Sequence, residues 1–236
     1  MGNKTPIGHG GHGFGLKLLL LHQEVKILDP DSMVVFTDAF DVLIQSSLSP
    51  LETWIQENPE QILFAAETTK WPSKDIFYPP PLKLPYAYLN SGVFAGKAST
   101  ILNVLESNPY TMKTDDQEYY TKIFLQPHSP IVLDHKAEFF QCLQGVHRDS
   151  IIFNNKVRIK HYDGSTWETE PLILHLNNGM TRIKYFSALI HSILGPSYAY
   201  LTRQIMITIV IDFLSYNAST IAWILVLVLA LVLWLR

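Results

Sequence analysis

Apolar residues along this chain gather in short runs, most of them bounded by turn formers and several ending in a carboxylate. Met33-Val34-Val35-Phe36 follows the turn residues Asp29-Pro30-Asp31-Ser32 and gives way to Thr37-Asp38-Ala39-Phe40-Asp41-Val42. Four consecutive apolar residues with β-branched members predict a buried strand of a parallel sheet, which places Asp38 and Asp41 at its C-terminal edge. Gln61-Ile62-Leu63-Phe64-Ala65-Ala66-Glu67 repeats the pattern and again closes on an acid. Between them, Ser49-Pro50-Leu51-Glu52 has the form of a helix start: serine as cap, proline at the first helical position, glutamate at the third. A helix to about residue 58 would complete a right-handed βαβ crossover.

The same reading predicts a short helix at residues 16–25, a turn feeding a strand at 88–96, and a helix at 99–107. Thr114-Asp115-Asp116-Gln117 caps a further helix running to about residue 124, its acids placed well for the helix dipole. Short strands follow at 131–134 and 139–141. Residues 157–160 alternate apolar and basic as an edge strand does, and Pro171-Leu172-Ile173-Leu174-His175 is an apolar run ending on a possible metal ligand. The fold class is α/β, a mixed sheet flanked by helices.

Two regions stand outside this alternation. Residues 68–86 hold five of the fourteen prolines, so they predict a long surface loop of the kind that carries function, with Trp71 and Tyr78 in it. Residues 221–235 are fifteen apolar residues in a row. Extended back to Tyr216 they are long enough for a membrane span, with Trp223 and Trp234 as interfacial aromatics. The expected organisation is a flexible Gly/His-rich start at 1–13, one α/β domain at 14–185, a linker with an interfacial helix at 186–215, and a transmembrane helix at 216–236.

Composition narrows the partners. With 47% hydrophobic residues in 236, one sizeable core is expected. A net charge of −3 without basic runs gives no nucleic-acid footprint, and that partner class is set aside. One cysteine, Cys142, excludes an intrachain disulfide framework. There is no Walker-type loop, no Gly-rich dinucleotide fingerprint and no nucleophile elbow. His161-Tyr162-Asp163 with His175 imitates an iron triad, but the return of twelve residues is too short for the jelly roll that normally carries one.

Ligands bind at the C-terminal edge of open α/β sheets. Two hard oxygen donors there suit a divalent cation holding a diphosphate, the other reading being that Asp38 and Asp41 cap a following turn.

The segment order is informative. Gly10-Gly11-His12-Gly13, Val35 to Val42, Ala66-Glu67 with Trp71-Pro72, Tyr88-Leu89-Asn90-Ser91-Gly92, Asp115-Asp116-Gln117, Leu133-Asp134-His135 with Phe140-Gln141, and Ile173-Leu174-His175 resemble the glycosyltransferase domain of procollagen-lysine hydroxylases over roughly residues 8–183. The resemblance implies a GT-A-like, Rossmann-type fold, Mn²⁺ as cofactor, and transfer of glucose or galactose from a UDP-sugar to a hydroxylysine-type or related protein or glycan acceptor. It implies Asp38, Asp41 and His175 as metal ligands, and Asp115, Asp116 and Trp71 near the transferred sugar. It also implies Phe40, Asn90, Asn178, Gly179 and Arg182 on the donor side, with Phe40 where the family has tyrosine and Arg182 in place of a lysine. The family's opening strand has no counterpart before Gly8, so an N-terminally truncated domain is expected. No hydroxylase half is read in this sequence, and no oxygenase activity is expected.

A lumen-facing protein of the endoplasmic reticulum or Golgi is the expected location, the alternative being a tail-anchored cytosolic one, since no signal-peptide core precedes residue 18. Asn3-Lys4-Thr5 and Asn217-Ala218-Ser219 are glycosylation sequons. The rival function is a catalytically degenerate, membrane-anchored interaction protein that keeps the fold.

Overall fold

A computed structural model describes residues 14–39, 41–71, 78, 86–154, 156–162 and 166–177. The Gly/His-rich start, Phe40, most of the proline-rich loop, Asp163, Asn178, Gly179, Arg182, the linker and the expected span lie outside the described residues. Among those described, no helix is long and apolar enough to cross a membrane.

The elements follow in the order α1 (Phe14–Val25), β1 (Met33–Thr37), β2 (Val42–Ile44), α2 (Ser49–Glu57), β3 (Ile62–Glu67), β4 (Tyr88–Lys97), α3 (Ala98–Ser107), α4 (Asp116–Phe124), β5 (Ile131–Asp134), β6 (Phe140–Cys142), a 3₁₀ turn (Arg148–Ser150), β7 (Ile151–Asn154), β8 (Lys156–Tyr162), β9 (Thr166–Thr169) and β10 (Ile173–His175). They form three sheets: β1-β4-β3-β5, β2-β10-β6 and β7-β8-β9.

The central sheet is mixed. β3 pairs parallel with β5 and antiparallel with β4, and β4 pairs antiparallel with β1. β3 is buried on both faces, and its alternation sorts the core. Ile62, Phe64 and Ala66 pack with Leu18, Leu21, Ile101 and Tyr120 of the helices α1, α3 and α4. Leu63 and Ala65 point the other way, onto Leu51 and Ile55 of α2 and onto Phe140 and Ile173 of the small sheet. The result is a helical layer, the central sheet, then α2 with the small sheet.

Four expectations need correcting. β1 is not a buried strand of a parallel sheet; it lies at the end of the strand order, antiparallel to β4, with Met33 37% exposed. Four apolar residues describe a half-covered strand as well as a buried one, and periodicity alone does not separate them. β1 and β3 do run in the same direction, but β4 lies between them, so the crossover passes over one strand. α2 begins at Ser49, with Leu48 as a cap residue that makes no side-chain bond, and the Ser47 hydroxyl accepts the Ser49 N–H at 3.3 Å instead. Residues 157–160 belong to the middle strand of the third sheet, not to an edge; their alternation comes from one face lying on the core.

β4 departs from regular pairing. Its register against β3 jumps from Phe64↔Phe94 to Ala65↔Asn90, so Ser91, Gly92 and Val93 form a bulge at the end of β1. Bulges of this kind re-aim side chains beside functional sites.

The Phe64 ring is fully buried, stacked on Phe94 at 4.4 Å and against Tyr120 at 4.9 Å. Phe64→Ala is expected to lower the unfolding free energy by about 3–5 kcal/mol, read by urea denaturation followed by circular dichroism. A loss under about 1 kcal/mol would mean the helical layer does not pack on this ring.

Candidate functional site

The chain passes from the central sheet to the small one between β1 and β2, and Asp38 and Asp41 sit on that connection. Each is pinned by its backbone. The Asp38 N–H donates to the Gly92 carbonyl at 2.7 Å, and the Asp41 carbonyl accepts the Leu176 N–H at 2.7 Å. β10 pairs antiparallel with β2, His175 opposite Val42, which brings the histidine beside the acids. His175 Nε2 lies 3.5 Å from Asp41 Oδ2 and 3.8 Å from Asp38 Oδ2. One ligand atom from each of the three residues lies within 4.8 Å of the other two. Asp41 and His175 are 4% and 3% exposed.

Hydrogen bonding decides which face of the imidazole is available. A backbone N–H can only donate, so the Gly92 N–H, 3.0 Å from Asn90 Oδ1, fixes that atom as the amide oxygen. Asn90 Nδ2 then donates to Glu67 Oε1 at 3.1 Å. His175 Nδ1 is 2.9 Å from the same Asn90 oxygen and must therefore carry its proton. Nε2 is the ring nitrogen left facing Asp38 and Asp41. Orientation of a ligating histidine through its other nitrogen is a regular property of metal sites. Two carboxylate oxygens and an imidazole nitrogen so turned fit a divalent cation of the Mg²⁺ or Mn²⁺ kind.

Glu67 anchors this arrangement. It is buried at the end of β3, where its oxygens also accept Gln117 Nε2 at 2.8 Å and Asn177 Nδ2 at 2.9 Å. Burial pushes its carboxyl above the ordinary value, opposed by the donors of Asn90 and Gln117. Gly92 closes the packing: a Cβ there would lie 2.2 Å from His175 Cε1.

The acidic pair at the start of α4 divides. Asp115 is the helix cap, accepting the Glu118 N–H at 2.8 Å. Asp116 turns inward, 5% exposed, where Ser91 Oγ donates to its Oδ2 at 3.1 Å. Lys17 of α1 joins it to the first group, with Nζ 3.2 Å from Asp116 Oδ2 and 2.7 Å from Asp38 Oδ1. Trp71 is 58% exposed. Asn90 touches the histidine and Glu67. Phe40, Asn178, Gly179 and Arg182 lie outside the described residues.

Two other groups are accounted for structurally. Burial first, then nearby Glu67 and Asp41, hold the Cys142 thiol well above its usual range, so it is a neutral neighbour of His175. Burial pushes the Tyr86 phenol up to about 12, and its hydroxyl is hydrogen-bonded to His161 Nδ1 at 3.0 Å. His161 Nε2 lies 2.7 Å from Thr169 Oγ1, and the ring stacks on Trp167. Both its nitrogens are engaged, in keeping with a core histidine rather than an iron ligand.

Lys17, Ser91, Gln117 and Asn177 do not stand out individually in the sequence. A lysine within the apolar run Leu16-Lys17-Leu18-Leu19-Leu20-Leu21 is the available signal for the first.

Two expectations arise from this geometry. Gly92→Ala should displace the His175 ring, detected as a changed imidazole tautomer signal in ¹⁵N NMR of a folded protein; an unchanged signal would contradict the packing. For Glu67 the sign is set by its raised carboxyl. The folded state holds that proton more tightly than the unfolded chain, so this contribution to stability is full below 4.5 and lost as pH rises through the folded value. The unfolding free energy of wild type minus that of Glu67→Gln should therefore fall as pH climbs from 4.5, by urea titration at stepped pH. A flat difference would show that the donors fully offset burial.

Comparison with known proteins identifies the family of the domain. The sequence profile of the family described as the PLOD GT domain matches residues 2–193. The human multifunctional procollagen lysine hydroxylase and glycosyltransferase LH3 is 31% identical over 182 residues, 73% of this chain and 24% of that protein. The procollagen-lysine,2-oxoglutarate 5-dioxygenase of Drosophila melanogaster is 32% identical over 183 residues, 72% of this chain and 25% of the relative. The multifunctional procollagen lysine hydroxylase and glycosyltransferase of Caenorhabditis elegans is 32% identical over 186 residues, with shares of 75% and 25%. The chain thus spans about a quarter of the length of these relatives. The mixed α/β domain built around Asp38, Asp41 and His175 belongs to the PLOD GT domain family.

Proposed function

We propose that this chain is a metal-dependent glycosyltransferase domain of GT-A type that moves a hexose, glucose or galactose, from a UDP-sugar to a hydroxylysine-type or related protein acceptor. The observation that carries the reading is the meeting of Asp38, Asp41 and the inward-facing Nε2 of His175 on the connection between two sheets. Mn²⁺ held there would neutralise the charge that develops on the UDP leaving group. The residues themselves do the positioning. Glu67 and Asn90 hold His175 in its ligating tautomer, and Ser91 holds Asp116 at the same edge. Asp116 is placed to orient an acceptor hydroxyl or to support positive charge on the sugar. Asp115 and Trp71 remain candidates on the acceptor side, while Phe40, Asn178, Gly179 and Arg182 are assigned to the donor with Asn90.

The apolar residues 221–235 would serve as a membrane anchor, with the domain facing the lumen of the endoplasmic reticulum or Golgi. Protease protection of intact microsomes with an epitope at Met1 reads that topology; digestion without detergent would place the domain in the cytosol.

The catalytic reading is tested on the full chain by UDP release from UDP-glucose and UDP-galactose with and without Mn²⁺. Turnover is expected to require the ion and to fall ~100-fold or more in the double variant Asp38→Asn, Asp41→Asn, with no loss of folding cooperativity. Wild-type turnover in that variant would sink the assignment; absence of UDP binding and turnover in the wild-type chain would favour the interaction-protein reading.

A further inference from the structure

Lys17 brings an ammonium into a group of acids from the first helix. Its Nζ contacts Asp38 Oδ1 at 2.7 Å and Asp116 Oδ2 at 3.2 Å, while the other oxygen of Asp38 faces His175 Nε2 at 3.8 Å. The two oxygens of one carboxylate are thereby given different tasks. The lysine is also well anchored: Leu18, Leu21 and Val25 bury α1 against the helical layer, and Nζ lies 5.4 Å from the centre of the Phe14 ring.

We propose that Lys17 is a positioning residue that restricts Asp38 to a single donor oxygen and so makes the site select small, octahedral cations over Ca²⁺. The inference rests on the metal-site reading of Asp38, Asp41 and His175 and deepens it. Ca²⁺ takes six to eight oxygens at roughly 2.3–2.6 Å and accepts carboxylates through both oxygens, whereas a Mg²⁺-sized ion wants near-octahedral ligands at about 2.0–2.1 Å. A carboxylate whose Oδ1 is tied to an ammonium offers one oxygen. Released from that tie it can rotate and chelate with both, which favours the larger ion. Asp116 makes the tie firm, because its Oδ2 receives both Lys17 and the Ser91 hydroxyl and cannot shift freely.

The experiment is direct ion binding to the full chain, without donor or acceptor, by calorimetric titration with Mn²⁺ and with Ca²⁺. The proteins are wild type, Lys17→Met and Lys17→Arg, with Lys17→Gln as the replacement should the methionine variant not unfold cooperatively. Removing the ammonium lowers local positive charge and is expected to tighten both ions, so the reading is the ratio of affinities. The Mn²⁺ preference over Ca²⁺ is expected to drop about tenfold in Lys17→Met or Lys17→Gln and to stay within about twofold in Lys17→Arg, which keeps the charge. A preserved ratio in the uncharged variants, with wild type binding Mn²⁺, overturns the role of Lys17 and leaves the metal site standing. Binding of neither ion by wild type overturns both.

Discussion

The orientation of one side-chain amide governs the chemistry available at this site. Asn90 receives the Gly92 N–H, donates to Glu67 and receives the His175 Nδ1 proton, and only one setting of its oxygen and nitrogen satisfies all three. Turned over, its NH₂ would face the Gly92 N–H and its oxygen would face a carboxylate oxygen. Buried polar groups left unsatisfied cost about 1–3 kcal/mol each, so the alternative setting is strongly disfavoured. From that single fact follow the proton on His175 Nδ1, the direction its Nε2 faces, and the reason for a buried glutamate at the end of β3.

The backbone that presents this amide is the bulge in β4. Ser91, Gly92 and Val93 are unmatched on β3, and beside that break Asn90 reaches the histidine, Ser91 reaches Asp116, and Gly92 lets the imidazole lie against the strand. β1 nonetheless keeps an unbroken register with the far half of β4, from Met33↔Lys97 to Thr37↔Val93, so the irregularity is absorbed on one side only.

Much of this is legible along the chain because the signals are local. The apolar runs that form β3 and β5 and the Asp115 cap of α4 are readable within a few residues, as are Asp38, Asp41 and His175, each at the end of an apolar run. Strand order is not legible. The insertion of β4 between β1 and β3 is a pairing between residues some sixty positions apart, and an apolar pentapeptide reads the same at an edge as in the middle of a sheet. The pair Asp115-Asp116 shows the same limit at one residue's scale. Both are acids at a helix start, yet one bonds its own helix and the other enters the site, a distinction set by where α4 lies on β4. Lys17 is hidden for the converse reason, since its partners arrive from distant segments.

The spacing between Asp38 and Asp41 takes on a different meaning once their backbones are traced. Asp38 is tied to a carbonyl of the central sheet and Asp41 to the Leu176 amide just past the small one, so each carboxylate is anchored to a different sheet. Their separation along the chain therefore answers to two layers as well as to an ion. A residue inserted there would change how two stacked sheets are stapled before it changed any ligand, which makes this short crossing a structural ruler as much as part of a site.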